Sequence, residues 1–141
     1  MDELSGNRIE KRKFGFRKEE RLCSKKVIDK LFTDGESFVV YPLKIVFLKS
    51  SVPLKSPVQA AFTVGKRNYR RAVHRNLIKR KIKEAYRLNK HILYDALQDA
   101  HVAVFVIFIG KSIPDFKQVE EAMKHGIEKL IKAVNKKNKN T

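Results

Sequence analysis

Residues 65–87 read GKRNYRRAVHRNLIKRKIKEAYR, and the rest of the chain is best interpreted outward from this stretch. When residues 73–90 are wound as a helix at about 100° per residue, their apolar side chains gather on one half. These side chains are Val73, Leu77, Ile78, Ile82, Ala85 and Leu88. The pattern predicts a long helix, from about Arg71 to Tyr94, whose apolar face packs on a core. Lys81 and His74 break the pattern, because both fall among the apolar positions.

The other half of this helix is a basic surface. Between Lys66 and Lys90 there are 11 Lys or Arg residues and one acidic residue, Glu84, so the segment carries +10 of the formal net charge of +17. Lys90 also falls on the basic half. The residues expected to bind a polyanion are Lys66, Arg67, Arg71, Arg75, Asn76, Lys79, Arg80, Lys83 and Arg87.

A run of charge can be no more than a solvated helix face. Here the Glu–Lys spacing that would neutralise such a face along the helix is missing. Arginine dominates the early part of the run, and guanidinium groups bind phosphate oxygens through two parallel hydrogen bonds. We therefore interpret the basic face as a nucleic-acid site.

Length and composition favour one domain in a reducing compartment. The 141 residues are 43% hydrophobic, which is enough for a modest core. A single cysteine, Cys23, permits no intrachain disulfide, and no His/Cys set has zinc-site spacing. The first 13 residues lack the apolar core of a secretory signal, and the longest apolar run, 102–109, is too short to span a bilayer. We expect a cytoplasmic protein without a membrane partner.

The remaining segments predict an α+β fold in the order α-β-β-β-α-β-α. A short helix capped by Ser24 and ended by Gly35 precedes two strand-like runs, Phe38–Leu48 (interrupted by Pro42) and Val58–Val64. Residues 101–109, HVAVFVIFI, are typical of a central strand, and Pro114 suits the first turn of a final helix. We expect a small two-layer sandwich with a mostly antiparallel sheet. Residues 18–135 form its single domain, between a flexible basic leader (1–17) and a basic tail (136–141).

No catalytic apparatus is evident in the sequence. Gly65-Lys66 lacks the spacing of a phosphate-binding loop, and Asp95 with Asp99 is better explained as a helix-end pair than as a metal site. Four aromatic residues, Phe32, Phe38, Tyr41 and Phe47, could stack on single-stranded bases, although core packing is the default for each.

The basic segment resembles the signature of the protein component of bacterial ribonuclease P. That signature has a strand ending in V-x-K-K/R, then R-x-A-V/H, then R-N-R-I-K-R and a further basic residue. The corresponding residues here are Val64-Gly65-Lys66-Arg67, Arg71-Ala72-Val73, Arg75-Asn76-Leu77-Ile78-Lys79-Arg80 and Lys83. An upstream match comprises Arg21-Leu22, Lys26, Leu31-Phe32 and Gly35. The departure is Leu77, where the family has arginine, and Lys81 stands where the family usually has an apolar residue.

The resemblance implies a noncatalytic subunit of an endoribonuclease. In that family the protein binds a catalytic RNA, which with its Mg²⁺ ions removes the 5′ leader of precursor tRNA, and no small-molecule cofactor is involved. The basic helix faces the catalytic RNA, and a cleft between the first helix and the sheet holds the leader. Ile28 and Phe32 match cleft positions. The resemblance also implies a left-handed βαβ crossover, contrary to the usual rule.

Two other interpretations remain open from the residues alone. A structural RNA-binding protein, such as a ribosomal protein, would have the same composition and charge, and only the linear motif separates it from a ribonuclease P protein. A protein-only nuclease is disfavoured by the lack of an acidic cluster.

Overall fold

The computed structural model describes residues 16–50, 54, 56–65, 69–97 and 100–139. Within them lie three α-helices, four strands and a 3₁₀ turn at Lys18–Glu20. In chain order they are α1 (Lys25–Asp34), β1 (Glu36–Val40), β2 (Leu43–Lys49), β3 (Val58–Val64), α2 (Ala72–Ala96), β4 (Val102–Phe108) and α3 (Phe116–Lys139). The predicted order of elements is confirmed.

The strands form one sheet in the order β1-β2-β4-β3. The β1–β2 and β2–β4 pairs are antiparallel, and only β3–β4 is parallel. The predicted central strand is confirmed as β4, which lies between β2 and β3. Helix α2 connects the two parallel neighbours, β3 and β4, so β3-α2-β4 is a crossover unit.

This crossover is left-handed, as the orientation of Ala60 shows. The Ala60 side chain lies in the core beneath α2, and its carbonyl accepts a hydrogen bond from the Leu22 N–H at the outer edge of β3 (3.0 Å). An L-residue whose side chain faces the viewer directs its carbonyl to the right of an upward-running strand. Seen from α2, β4 therefore lies to the left of β3, the hand opposite to that of nearly all such units.

Each face of the sheet carries its own cluster of buried apolar residues. On one face, alternate residues such as Ile45, Phe47 and Val104 pack under α2 and α3, which gives the predicted two-layer sandwich. α3 approaches β2 closely, because a Cβ at Gly126 would lie 2.5 Å from Ile45 Cδ1. On the opposite face, Leu31 of α1 is fully buried in a smaller cluster over β2 and β4.

The helix ends agree with the sequence in most respects. The Ser24 hydroxyl accepts a hydrogen bond from the Val27 N–H (3.4 Å), and α1 stops at Gly35, where a Cβ would collide with the carbonyls of Leu31 and Phe47. The prediction for Pro114 was wrong. The Asp115 carboxylate accepts from the Gln118 N–H (2.8 Å) and caps α3, so Pro114 precedes the helix.

The predicted terminal segments lie largely outside the described residues. Of the leader, 1–17, only residues 16 and 17 are described. At the other end, α3 continues through Lys139, which takes the helix into the segment predicted as a basic tail.

Candidate nucleic-acid interface

The N-terminal half of α2 presents exposed polar residues over a buried apolar face. Ile78 and Ile82 are completely buried, which confirms the predicted amphipathic character of this helix. Arg71, Asn76, Lys79, Arg80 and Lys83 are exposed. The apolar face is shorter than predicted, however, because Val73 is 74% exposed and Leu77 is 40% exposed. The first turn of α2 therefore extends beyond the core.

The basic face of α2 forms one side of a groove of about 640 Å³ along the outer edge of β3, hereafter the edge groove. Its α2 side consists of Asn76, Lys79, Arg80 and Lys83. Phe16 and Arg21 stand on the opposite wall, and residues 60–62 of β3 form the floor. None of the described residues that line it is acidic, so the groove focuses positive potential where a phosphate chain could lie.

The opposite wall is a short segment that runs beside β3. Arg21 and Ala60 form an isolated parallel bridge, which extends the sheet edge by one residue pair. The Phe16 ring packs against the rings of Phe62 and Tyr86, with centroids 5.6 and 5.9 Å away. The Lys83 ammonium and the Arg21 guanidinium each lie 5.8 Å from the Phe16 centroid. Phe16 thus holds two groove cations by cation–π attraction.

Two predicted arginines make contacts within the protein. Arg75 Nη1 donates to the carbonyls of Tyr69 (2.8 Å) and Arg70 (2.6 Å), so it organises the loop that leads into α2. Arg87 Nη2 pairs with Glu84 Oε1 at 2.5 Å. Its hydrogen bond lowers the pKa of the Glu84 carboxyl, and the same bond raises the pKa of Arg87. Lys66 and Arg67 lie outside the described residues.

Two further cations of α2 do not line the groove. Lys81, the misfit among the apolar positions, donates to the Pro114 carbonyl (2.6 Å) and so joins α2 to the segment before α3. Lys90 was assigned to the basic face, and this was wrong. It is only 2% exposed, because its ammonium is paired with the buried Glu20 carboxylate.

A second surface lies where α1 leaves part of the sheet uncovered. Phe32 is 53% exposed, and its ring meets Phe105 of β4 nearly edge-on, with centroids 5.0 Å apart. Ile28 is half-buried against the cluster under α1. Phe105 is paired in register with Ala61, which also lines the edge groove. The Phe32–Phe105 surface is therefore continuous with the groove around the edge of β3.

Of the other aromatic residues considered for base stacking, two lie in the core and one lies on the surface. Phe47 is buried under α2 and α3, and Phe38 packs against it at 6.0 Å, so both belong to the core. Tyr41, at the turn between β1 and β2, is 62% exposed. Sequence reasoning did not identify Phe105, although its position on the less buried side of β4 follows from strict alternation along the strand.

Within the described parts of the chain, no helix has both the length and the apolar character needed to cross a bilayer. Among the same residues, no group of three or more His, Cys, Asp or Glu side chains could hold a metal ion.

Comparison with known proteins assigns this geometry to a family. The Ribonuclease P family model matches residues 16–131. A ribonuclease P protein component of Porphyromonas gingivalis is 40% identical over 119 residues, covering 83% of this chain and 87% of the relative. That of Chlorobium phaeobacteroides is 36% identical over 117 residues, covering 74% and 80%.

Solved structures agree in fold. The ribonuclease P protein of Thermotoga maritima superposes with a TM-score of 0.63 at 22% identity, covering 78% of this chain and 96% of that one. The Staphylococcus aureus protein gives 0.63 at 18% identity, covering 80% and 95%. The chain belongs to the ribonuclease P protein component family, and its role is in tRNA processing as part of an endoribonuclease.

Proposed function

We propose that this chain is the RNA-binding subunit of a ribonuclease P and assists the Mg²⁺-dependent removal of the 5′ leader from precursor tRNA. The exposed basic residues of α2, Lys79, Arg80 and Lys83, bind the catalytic RNA. The surface beside α1, with Ile28 and Phe32, receives the single-stranded leader. Mg²⁺ is held chiefly by the RNA, and the particle works in the cytoplasm.

The observation that carries this proposal is the continuity of the two surfaces. Lys79 and Arg80 line the edge groove together with Ala61, which is paired in register with Phe105. The half-buried Phe105 ring in turn packs against the exposed ring of Phe32. Cations suit the phosphates of RNA, whereas exposed aromatic rings suit unstacked bases. A site that combines the two favours RNA with a single-stranded segment over a uniform duplex.

Catalysis is assigned to the RNA partner. The described groove residues supply cations, which bind phosphates but do not coordinate Mg²⁺, for which oxygen ligands are needed. We therefore expect the protein alone not to cleave precursor tRNA at any Mg²⁺ concentration.

Reconstitution tests the proposal directly. The protein is added to a ribonuclease P RNA at a Mg²⁺ concentration too low for the RNA to act alone, and leader removal is followed. The wild type should restore cleavage, and the double variant Lys79→Ala/Arg80→Ala should restore much less. Lys132→Ala, an exposed lysine of α3, is the control for simple loss of charge. RNA binding without any restored cleavage would instead favour a structural RNA-binding protein.

A further inference from the structure

Glu20 is a buried carboxylate whose two oxygens are both engaged. It is 7% exposed. Oε1 accepts hydrogen bonds from the Lys90 ammonium (2.5 Å) and the Tyr94 hydroxyl (2.7 Å), and Oε2 accepts from the Arg17 N–H (2.6 Å). We call Glu20, Lys90 and Tyr94 the buried clamp. It joins the 3₁₀ turn to α2 across 70 residues of sequence.

The buried clamp is stable because breaking it would leave unpaired charges in the protein interior. A buried ammonium or carboxylate without a counter-ion has lost its hydration, and no ion pair compensates the desolvation free energy. Lys90 is 2% exposed and Glu20 is nearly as buried, so each requires the other. The Lys90 ammonium also lies 5.5 Å from the Tyr94 ring centroid, which adds a cation–π contact. Moving the turn away from α2 would separate Glu20 from Lys90 and Tyr94, which both lie on that helix.

The turn that the clamp fixes carries the outer wall of the edge groove. Within the turn, Gln59 donates to the Glu19 carbonyl (2.9 Å), and two residues after the turn the Leu22 N–H donates to the Ala60 carbonyl (3.0 Å). Arg21 lies between these contacts, and Phe16 lies just before the turn. Both wall residues are thus within five positions of Glu20, on a segment with little other regular structure.

We propose that Glu20 is a positioning residue for RNA binding, which holds Phe16 and Arg21 as the outer wall of the edge groove by closing on Lys90 and Tyr94. The inference rests on the proposed function, because RNA is the occupant of the groove. It assigns a role in RNA binding to a carboxylate that would not itself touch the RNA.

The proposal predicts that removing a negative charge from Glu20 weakens RNA binding. Glu20→Gln removes a negative charge from a protein that binds a polyanion, so long-range electrostatics alone would tighten binding. Loss of the positioned wall would weaken it. Glu19→Gln is the matched control, since this exposed neighbour loses the same charge one position away and leaves the clamp intact.

The experiment measures the affinity of the full chain for a ribonuclease P RNA as a function of salt. Glu20→Gln should bind about tenfold more weakly, as for loss of one charged hydrogen bond. The slope of log K against log salt should become shallower by about 0.7–0.9, the value for one phosphate contact. Glu19→Gln should bind at least as tightly as the wild type. Equal behaviour of the two glutamine variants would overturn the proposal.

Two further variants separate positioning from general destabilisation. Glu20→Gln added to Arg21→Ala should weaken binding little beyond Arg21→Ala alone, because the two changes remove the same contact. Additive losses would contradict the proposal. If Glu20→Gln does not fold, Tyr94→Phe decides, because it removes one donor to Glu20 and no charge. It should weaken binding in the same direction, and unchanged binding would overturn the clamp. A wild-type protein that fails to bind the RNA would overturn the proposed function itself.

Discussion

Both halves of α2 carry cations, but they use them differently. In the N-terminal half, Lys79 and Arg80 are exposed and line the edge groove. In the C-terminal half, Arg87 is bound to Glu84 and Lys90 is buried against Glu20. A cation that is already paired adds little to the field outside the protein, because its partner cancels it. The basic stretch of sequence therefore contains two classes of charge, one that is exposed and that we propose binds RNA, and one that is paired within the fold.

The largest expected effect is that of salt. A basic surface that makes roughly six phosphate contacts, in the edge groove and beside it on α2, should lose about a thousandfold in RNA affinity between 50 and 200 mM salt. Lys79→Ala/Arg80→Ala should make the log–log slope shallower by about 1.4–1.8, the value for two contacts, because both residues belong to the first class. Titration by filter binding or fluorescence anisotropy measures this. A nearly flat response of the wild type would contradict the electrostatic account.

The cations that are paired within the fold should contribute to the free energy of unfolding. Lys90→Met leaves the Glu20 carboxylate buried without its counter-ion, so the free energy of unfolding should fall by about 3–5 kcal/mol. Lys79→Met is the control from the exposed half and should change it by no more than about 0.5 kcal/mol. Urea denaturation of both variants compares them. Similar stabilities would remove the distinction between the two halves.

Phe32 tests the second surface separately from the helix. Because the ring is 53% exposed, Phe32→Ala should cost about 1 kcal/mol, the value of an aromatic pair, and not the 3–5 kcal/mol of a buried phenylalanine. Loss of a stacked base should weaken binding of long-leader precursor tRNA about tenfold. Substrates whose leader is too short to reach Phe32 should be unaffected. Equal loss for both substrates, with a large fall in melting temperature, would assign Phe32 to the core instead.

The smallest expected effect is the pH dependence of the stability that Glu20 contributes. Burial raises the pKa of the Glu20 carboxyl, but hydrogen bonds from Lys90, the Arg17 N–H and Tyr94 outweigh it, so the net pKa is below the ordinary 4.5. A lowered pKa contributes stability that is present above pH 4.5 and is lost as pH falls through the folded-state value. The stability difference between the wild type and Glu20→Gln should therefore be constant from neutral pH to about 4.5 and narrow below it. If the stability difference between the wild type and Glu20→Gln instead grew on acidification, the lowered pKa of Glu20 would be contradicted.

Local patterns were sufficient for the elements but not for their long-range contacts. The apolar spacing of α2 identified Ile78 and Ile82 correctly, and the β-branched run identified β4. The burial of Lys90 could not be foreseen, because its partner lies 70 residues away and no periodicity links them. The hand of the crossover was equally inaccessible from residues alone.

The aromatic surface that we propose for the leader, around Phe32 and Phe105, was predicted from the sequence only in part. Phe32 followed from the family motif, whereas the separation of Phe38 and Phe47 from it depends on sheet register. Phe38 is opposite Ile45, which places both Phe38 and Phe47 on the core side. Phe105 is half-buried because α1, with ten residues and a length of about 15 Å, covers only part of the opposite face.

One comparison tests the central claim most directly: the affinities of Lys79→Ala and Arg87→Ala for a ribonuclease P RNA at one salt concentration. Each variant loses one positive charge from the same helix. Lys79→Ala should bind about tenfold more weakly, because an exposed groove cation is lost. Arg87→Ala should remain within about twofold of the wild type, because a surface ion pair is lost and its energy is small. Equal losses would contradict the account, since they would show that total charge, and not the edge groove, governs binding.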